Sequence, residues 1–447
     1  MTRSDAASVL VLGAGITGSL TALRLVERGR AVTLLSAGAD PRRREGRPTL
    51  STTGDGGPLR FLTPVELASP LDEAGCTRHR PVSDGGWLAH EHLTEEERGW
   101  LARRDLARLD SDVRTDVRQS LTKAGADGLP AWSRLLADHP RLAAPAALRR
   151  DGVLRVHDDA DRFEADRSRH EQLGLQSKLL SPDELAERHP LLAAACRSGR
   201  LAGALLTTGW CLDADALNRA VLDLVEARGA RLVFDSPVAA LLRDDAGRAL
   251  GLRGTDGRSH LGDDLVLHPG ADPAGLVPQV LPAERCASVL GAWLCLPLDA
   301  ADRWPGPTKL KVTPRGSDSP LELSVAVDRN GVLWAGGGLM LAGLGGDGEV
   351  AIDDGELTAL EDRVRDALRL ALGSRADDAR VHDLRQACRR SQVADGRLLT
   401  HVEPTATGRL VLVTGTNTGS TAVAPSLAEL ACERLGVGHA DPTLAGC

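Results

Sequence analysis

The sequence predicts a mixed fold, α/β and α+β, in which a parallel-sheet domain is interleaved with a second domain. A strand, a glycine-rich turn, a helix and a second strand follow one another within residues 8–35. Segments of the same kind return after residues 205 and 376, separated by stretches with other patterns. Neither an internal repeat nor a low-complexity linker is apparent, so segments of the two domains are expected to follow one another along the chain.

The first segment is a complete strand–turn–helix–strand unit. Short apolar runs at residues 8–12 and 31–35 predict two buried parallel strands, and the GxGxxG turn between them opens an amphipathic helix. In such a unit the first glycine permits a tight turn, the second lets the backbone approach a pyrophosphate, and the third lets the helix pack closely. The sequence therefore predicts a dinucleotide site, with a plain tight turn as the alternative. Its residues in the turn are Gly13, Ala14, Gly15, Ile16, Thr17 and Gly18.

The residue expected to hold the adenosine ribose departs from the usual pattern. An Asp or Glu commonly ends the second strand, but the sequence has Ser36, which can hydrogen-bond a ribose hydroxyl. Arg42, Arg43 and Arg44 follow soon after, and an arginine near this strand end can accept a 2′-phosphate. NADP is therefore an alternative cofactor, although these arginines fit a solvated loop better.

Composition and charge exclude several classes of function. The 447 residues carry 54 Lys and Arg against 62 Asp and Glu, and the net charge of −8 disfavours nucleic-acid and anionic-membrane partners. The eight cysteines form no CxxC pair, so neither a metal site nor a disulfide scaffold is predicted. No tyrosine is present, which rules out a phenol as acid or base. No apolar run reaches the roughly 18 residues of a membrane span, and a cytoplasmic protein is expected.

Capping patterns and periodicity predict the remaining elements. Residues 94–97 and 181–184 each read as a helix start with acidic residues in the first turn. Further helices are expected at residues 213–228, 356–372 and about 424–435. Strands are expected at residues 231–234, 264–267, 287–296, 321–327, 332–335 and 410–414.

Three further segments complete a pattern with the N-terminal unit. They read STTGDGGPLR at 51–60, GWCLD at 209–213 leading to HPGA at 268–271, and CRRSQVADG at 388–396 followed by GTNTGST at 415–421. In this order the four signatures resemble the FAD-dependent amine oxidoreductases of the D-amino-acid oxidase superfamily, in the branch of glycine oxidase and monomeric sarcosine oxidase. The resemblance implies an FAD-binding Rossmann-like domain of the glutathione-reductase type and a mostly antiparallel-sheet substrate domain carrying helices. The FAD-binding domain would comprise residues 1–89, 205–275 and 376–447, and the substrate domain residues 90–204 and 276–375.

The resemblance also implies roles for two arginines. Arg60 matches the arginine that grips the substrate carboxylate in sarcosine oxidase, and Arg390 matches a carboxylate-binding arginine of glycine oxidase. A guanidinium fork binds a carboxylate through two parallel hydrogen bonds, which suits this role. A surface arginine packed under a loop is the alternative for Arg60. In the same loop, Thr53 and Gly54 are implied to run along the flavin.

Other flavin contacts are implied around the C-terminal half. Cys388 matches the cysteine that carries covalent flavin in sarcosine oxidase, and an inert buried cysteine is the alternative. Departures from the family pattern are His268-Pro269 before the turn glycine, Val393-Ala394 for Thr-Pro, and Ala422 where sarcosine oxidase has a lysine. The remaining implied cofactor contacts are Val238 beside the adenine, Gly270, and the turn residues Gly415, Asn417, Thr418, Gly419 and Ser420.

The activity implied by the resemblance is oxidation of a C–N bond in an amino acid or secondary amine that carries a carboxylate. Hydride would pass to flavin N5, and the resulting imine would hydrolyse or cyclise. Oxygen is the expected acceptor, with Lys309 or Lys311 as the cation that favours its reduction, unless both are surface lysines on an edge strand. A flavin dehydrogenase that acts on a 2-hydroxy acid or passes electrons to a partner is one alternative. An NADP-dependent reductase and a non-catalytic flavin-binding subunit are two others.

Overall fold

A computed structural model describes most of the chain. The described residues are 7–43, 59–67, 87–89, 93–272, 274–299, 302, 304, 306–314, 320–345, 354–381, 388–416 and 419–438; the side chains of 87–89, 354, 381, 388 and 389 are outside the description.

Helices and strands occur throughout the described chain. The helices are α1 (Ile16–Glu27), α2 (Glu95–Leu109), α3 (Ser111–Asp138), α4 (Ala160–Gln172), α5 (Pro182–Arg188), α6 (Ala193–Arg197), α7 (Ala214–Ala227), α8 (Leu276–Val280), α9 (Asp354–Leu372) and α10 (Ser420–Leu435). The first eleven strands are β1 (Ser8–Leu12), β2 (Ala31–Leu35), β3 (Leu59–Leu62), β4 (Trp87–Ala89), β5 (Val153–His157), β6 (Ser177–Leu180), β7 (Gly203–Thr207), β8 (Trp210–Asp213), β9 (Arg231–Val233), β10 (Val238–Arg243) and β11 (Ala249–Gly254). The remaining strands are β12 (Ser259–Leu261), β13 (Asp264–Leu267), β14 (Cys286–Pro297), β15 (Thr308–Val312), β16 (Leu321–Val327), β17 (Val332–Leu344), β18 (Arg380–Val381), β19 (Cys388–Val393), β20 (Leu399–Pro404) and β21 (Arg409–Thr414).

The first domain is built on a six-stranded sheet in the order β20-β21-β13-β1-β2-β9, parallel except for β20. Alternate residues of β1 enter different cores, as expected for a strand covered on both faces. Val9 and Val11 pack with α1, α3, α7 and α10, whereas Leu10 and Leu12 pack toward the antiparallel β10–β11–β12 sheet and α8. The predicted Rossmann-like domain with a parallel sheet is confirmed.

The second domain is built on a ten-stranded sheet in the order β18-β14-β17-β16-β15-β5-β7-β6, with β19 also on β14 and β4 on β17. Its pairs are antiparallel except β15 with β5 and β17 with β4, so the predicted mostly antiparallel sheet is confirmed. One face is apolar and packs on α9, with Val156, Leu310 and Leu323 in its core. The domain boundaries stay a prediction. Helix α3, which the prediction assigns to the substrate domain, lies in the same core as α1 and α10.

Both predicted helix starts are confirmed, and each has a capping box. Thr94 Oγ1 accepts a hydrogen bond from Glu97 N at 3.2 Å, and Glu97 Oε2 accepts one from Thr94 N at 2.7 Å. The same reciprocal pair joins Ser181 and Glu184 at the start of α5. These local patterns predict helix starts well because each motif satisfies its own exposed N–H groups.

Two elements are longer than predicted. Strand β17 continues to Leu344 through the glycines at 336–338, because a Cβ at Gly336 would lie 2.3 Å from the Trp293 ring. Helix α10 begins at Ser420, four residues earlier than predicted, although Pro425 lies inside it. A proline leaves the carbonyl four residues before it unpaired, and here Trp132 Nε1 donates to that carbonyl, Thr421 O, at 2.9 Å.

Candidate functional site

One cavity of about 710 Å³ lies between the two domains' sheets. It is lined by the glycine turn before α1, by β3, by one face of the ten-stranded sheet, by α4 and by the start of α10. Arg60, Arg390 and residues of both glycine-rich turns therefore line the same cavity.

The glycine turn has the geometry that a pyrophosphate requires. Gly13 has φ of +103°, and a Cβ at Gly18 would lie 1.8 Å from the Gly13 carbonyl oxygen, so only glycine permits this turn and this close packing. At Gly15, by contrast, no described atom lies within 4 Å of an added Cβ. The first turn of α1, residues 16–19, carries no acidic residue, and its N-cap makes no side-chain hydrogen bond. These N–H groups are left to bind an anion.

A second helix start lines the same cavity. Gly415 has φ of +73°, and its N–H donates to Ser391 Oγ at 3.3 Å, while Ser391 Oγ and Thr414 Oγ1 lie 2.8 Å apart. Helix α10 follows with no side-chain cap on Gly419 and no acidic residue in its described first turn, residues 420–423. Ser420 lines the cavity, so its end of the helix can stabilise negative charge on a ring placed there.

The turn after β13 carries the unusual histidine. Its Nε2 lies 3.0 Å from Thr21 Oγ1, which ties the turn to α1. Burial lowers the pKa of His268 to about 4, so the imidazole is neutral at neutral pH. Gly270, with φ of +61°, lines the cavity, and its added Cβ would meet no described atom within 4 Å. The substitution at His268 therefore preserves an open turn.

Several predicted cofactor contacts lie away from this cavity or outside the described residues. Ser36 is held at the end of β2 by two backbone bonds, donating to Val233 O and accepting from Ser236 N, both at 2.9 Å. Val238 is buried in the core of the three-stranded sheet. Neither is among the described residues that line the cavity, and their contacts with the adenosine stay predictions. Outside the described residues lie Arg44, Thr53, Gly54, Asn417 and Thr418.

Of the arginines after Ser36, Arg42 is already paired with carboxylates. Arg42 lies 2.7 Å from Asp40 and from Glu226, and 3.3 Å from Asp223. Hydrogen bonding to Asp40 raises its pKa despite partial burial, and this guanidinium is matched by three carboxylates. A 2′-phosphate would have to displace them, which disfavours the NADP alternative.

Arg60 is placed at the cavity by strand pairing. Strand β3 pairs with β8, and the Arg60 guanidinium lies 5.3 Å from the ring of Trp293 on β14. Arg60 Nη1 also donates to Leu59 O at 3.1 Å. Trp293 Nε1 is buried without a hydrogen-bond partner among the described residues, so this wall can offer a donor to a ligand.

Arg390 reaches the same cavity from β19. Its Nη1 donates to Gly338 O at 3.0 Å, and an added Cβ at Gly291 would lie 2.9 Å from its Nη2. The guanidinium thus occupies space that glycine leaves open. Cys388 begins the same strand opposite Gly291, but its side chain is outside the described residues, and covalent attachment there stays a prediction.

Sequence reasoning missed a polar face on the ten-stranded sheet. Lys309 and Lys311 on β15 pair with Arg155 and His157 on β5, and Lys311 also pairs with Glu322 on β16. The alternative that these lysines lie on a surface edge strand was wrong, since β15 is internal and Lys309 is 5% exposed. Alternation in VLRVH, TKLKV and LELSV was the signal available. We call this group, with Ser324, the polar face.

Ion pairs hold the polar face together. Lys309 Nζ lies 2.5 Å from Glu66 Oε1 and 3.2 Å from Glu322 Oε1. Burial alone lowers the pKa of Lys309, but these two carboxylates outweigh it and raise the pKa. Lys311 Nζ lies 3.0 Å from Asp166 Oδ2 of α4, which is also 3.3 Å from His157 Nε2. Burial opposes ionisation of Asp166, yet the cations around it lower its pKa.

The family model for FAD-dependent oxidoreductases (DAO) matches residues 8–434 of the chain. The chain belongs to this family. The two uncapped helix starts and the open glycine turn fit the anionic and ring portions of FAD, the cofactor of this oxidoreductase family. The predicted cofactor is confirmed, and the NADP-dependent and non-catalytic alternatives lose their support.

Individual relatives agree with this assignment. D-amino acid dehydrogenase 2 of Ralstonia nicotianae is 30% identical over 220 residues, and the match spans 44% of this chain and 45% of that protein. Glycine oxidase from Geobacillus kaustophilus has a TM-score of 0.64 at 15% identity, covering 96% of this chain and 95% of that one. Fructosyl peptide oxidase from E. terrenum has a TM-score of 0.63 at 18% identity, covering 100% and 92%. At these identities the solved structures share the fold.

The part of the chain that the structure describes has neither a membrane-spanning helix nor a metal-binding cluster. None of the described helices combines the length and the apolar character needed to cross a membrane. Within the same part of the chain, no group of three or more His, Cys, Asp or Glu side chains is arranged to hold a metal ion.

Proposed function

We propose that this oxidoreductase oxidises the C–N bond of an amino acid, or of a secondary amine that carries a carboxylate. One observation carries the proposal: Arg60 and Arg390 line the same cavity as the two helix starts that fit FAD. Two guanidinium groups are well suited to hold a carboxylate, and their fixed forks orient the neighbouring carbon.

Arg60 and Arg390 are each held by contacts within the cavity wall. Trp293 stacks on Arg60, and the Gly338 carbonyl accepts from Arg390. These contacts restrict the side-chain rotamers of both arginines, and each guanidinium carries several N–H donors. When bound, FAD supplies the two-electron acceptor, and the protein's own residues then have to bind and orient the substrate.

The names of similar proteins support an amine or amino-acid substrate. The curated relative is a D-amino acid dehydrogenase, and structural neighbours include glycine oxidases and an L-proline dehydrogenase from P. horikoshii, which has a TM-score of 0.56 at 12% identity and covers 96% of this chain and 93% of that one. The curated match spans less than half of each chain, and it supports the substrate class without choosing a substrate.

We propose oxygen as the electron acceptor, with a dehydrogenase that passes electrons to a partner as the second candidate. Lys309 and Lys311 both line the cavity, which supports this choice because a cation beside the flavin would favour oxygen reduction. Two observations favour the second candidate: both lysines are already paired with carboxylates, and the curated relative is a dehydrogenase.

The test starts with purified protein loaded with FAD. A panel of D-, L- and N-methyl amino acids is mixed with it without oxygen, and loss of the visible flavin absorbance is followed. We expect at least one amino acid to bleach the flavin, whereas the matching 2-hydroxy acid does not. Oxygen consumption and reduction of an artificial dye then separate oxidase from dehydrogenase. A flavin-loaded protein that no amine reduces would contradict the proposal.

A further inference from the structure

The carboxylate of Glu322 lies on an internal strand and faces the cavity. It lies on the internal strand β16, opposite Lys311 of β15, and it lines the cavity. Its side chain is nevertheless 40% exposed, whereas that of Lys309 beside it is 6% exposed. The exposed part of Glu322 therefore faces the compartment that also holds Arg60 and Arg390.

One oxygen of this carboxylate keeps its hydrogen-bonding capacity. Oε1 lies 3.2 Å from Lys309 Nζ. Oε2 lies 3.6 Å from Lys311 Nζ and 3.8 Å from Arg155 Nη1, and both separations are longer than a hydrogen bond. Burial opposes ionisation of Glu322, but these three cations outweigh it and lower its pKa. Glu322 is therefore an ionised acceptor, and its Oε2 has no partner at hydrogen-bond distance among the described residues.

The charges around Glu322 indicate which kind of donor fits. Among the described residues of the network, three cations face three carboxylates, and the formal charges cancel. The members are Arg155, Lys309, Lys311, Glu66, Asp166 and Glu322. A substrate cation or anion would disturb this balance in a buried setting, whereas a neutral donor would not.

We propose that Glu322 Oε2 accepts a hydrogen bond from a neutral donor, a hydroxyl or amide N–H, on the substrate's side chain or N-substituent. The inference rests on the proposed function, because Arg60 and Arg390 fix the carboxylate end of the same molecule. Glu322 then determines specificity by contact at the other end. A buried acceptor that is built for a hydroxyl discriminates against an analogue without one, since that analogue leaves the acceptor unpaired.

The test compares matched amino acids with and without a terminal hydroxyl. The pairs are serine and alanine, homoserine and 2-aminobutyrate, and 5-hydroxynorvaline and norvaline, while lysine and norleucine test a cation. We expect the wild type to prefer the hydroxyl member of at least one pair by about tenfold or more in kcat/KM, as for a hydrogen bond to a charged group. In Glu322→Ala this ratio should fall to about 1.

Two controls separate specificity from general damage. Glu322→Gln keeps the shape and one acceptor oxygen, and should retain part of the preference. Glu171→Gln removes the same charge from the exposed face of α4, and should leave the ratio unchanged. Binding of 4-hydroxybutyrate and butyrate, followed by perturbation of the flavin absorbance, should give the same order without turnover. The inference would be wrong if the wild type shows no preference for the hydroxyl member of any pair. It would also be wrong if the wild type prefers lysine, or if the ratio survives in Glu322→Ala. Absence of flavin reduction by every amine would instead count against the proposed function.

Discussion

The ammonium group of Lys309 lies 2.5 Å from the Glu66 carboxylate, and both side chains are more than nine-tenths inaccessible. The pair joins the segment after β3 to β15, across 243 residues of sequence. The ring of Phe61 lies 5.4 Å from the same ammonium group. Through this contact, the strand that carries Arg60 is fastened to the polar face of the second domain.

Replacing Lys309 by Met should destabilise the protein strongly. The change leaves Glu66 and Glu322 without their shared cation, and breaking a buried ion pair in this way costs about 3–5 kcal/mol in the free energy of unfolding. Lys311→Met should cost less, because Lys311 is 22% exposed and water can compensate. Urea denaturation of the two variants measures the difference. Equal losses would show that the Lys309 pair is not effectively buried.

Gly15→Ala should weaken FAD binding without destabilising the apoprotein. No described atom lies near an added Cβ there, so the methyl group would occupy only the space expected for the pyrophosphate. We expect the Kd for FAD to rise by at least about tenfold, equivalent to about 1.4 kcal/mol. Gly99→Ala on α2 is the matched control, since its Cβ also meets no described atom within 4 Å. Equal FAD affinity in both variants would contradict the assignment of the turn.

Arg60→Lys and Arg390→Lys should each impair substrate binding. A lysine keeps the charge but cannot form two parallel bonds to a carboxylate. Loss of a charge-assisted hydrogen bond predicts a fall of about 10- to 100-fold in kcat/KM, expressed mainly as a higher KM. Arg258→Lys, at a side chain that is 81% exposed, serves as the control. Steady-state kinetics with the best substrate of the panel gives the values, and unchanged KM in both variants would remove the arginines from the site.

Asp272 should make the protein less stable as the pH rises from about 4 to about 6. Burial raises its pKa to about 6, although its oxygens accept from Leu276 N at 2.7 Å and Val277 N at 2.8 Å. The folded state therefore binds more protons than the unfolded state in this window, and the free energy of unfolding falls by roughly 3 kcal/mol across it.

Asp272→Asn removes this titration and keeps one acceptor. Denaturant unfolding at several pH values should show the wild-type advantage over the variant shrinking from pH 4 to pH 7. The two proteins share every other titrating group, so the difference between them isolates Asp272. A difference that stays constant with pH would mean that the carboxyl is hydrated.

Covalent attachment through Cys388 predicts a simple outcome. Acid precipitation of the wild type should leave the yellow colour in the pellet, and Cys388→Ala should release it to the supernatant. Cys295, which is partly exposed, provides the control variant Cys295→Ala. Wild-type colour in the supernatant would exclude a thioether and leave Cys388 as an ordinary cysteine.

The local parts of this molecule were predictable from sequence because their causes are local. The glycine turn of α1, the capping boxes at Thr94 and Ser181, and the strands around β1 each follow from a few neighbouring residues. The glycines of β17 and the proline of α10 misled the prediction of boundaries. Trp293 of β14 occupies the space beside Gly336, and Trp132 of α3 donates to the carbonyl that Pro425 leaves unpaired.

The sequence by itself determined the nucleotide-binding unit, the two-domain class and the family resemblance, since short patterns specify tight turns and helix starts. Only the tertiary structure decided that Lys309 is buried, that Glu322 faces the cavity, and that Arg60 and Arg390 share one compartment. These facts depend on strand register between segments more than 150 residues apart, as between β5 and β15. A one-residue shift in that register would turn every polar side chain to the opposite face, and the alternation within one strand does not show which distant strand pairs with it.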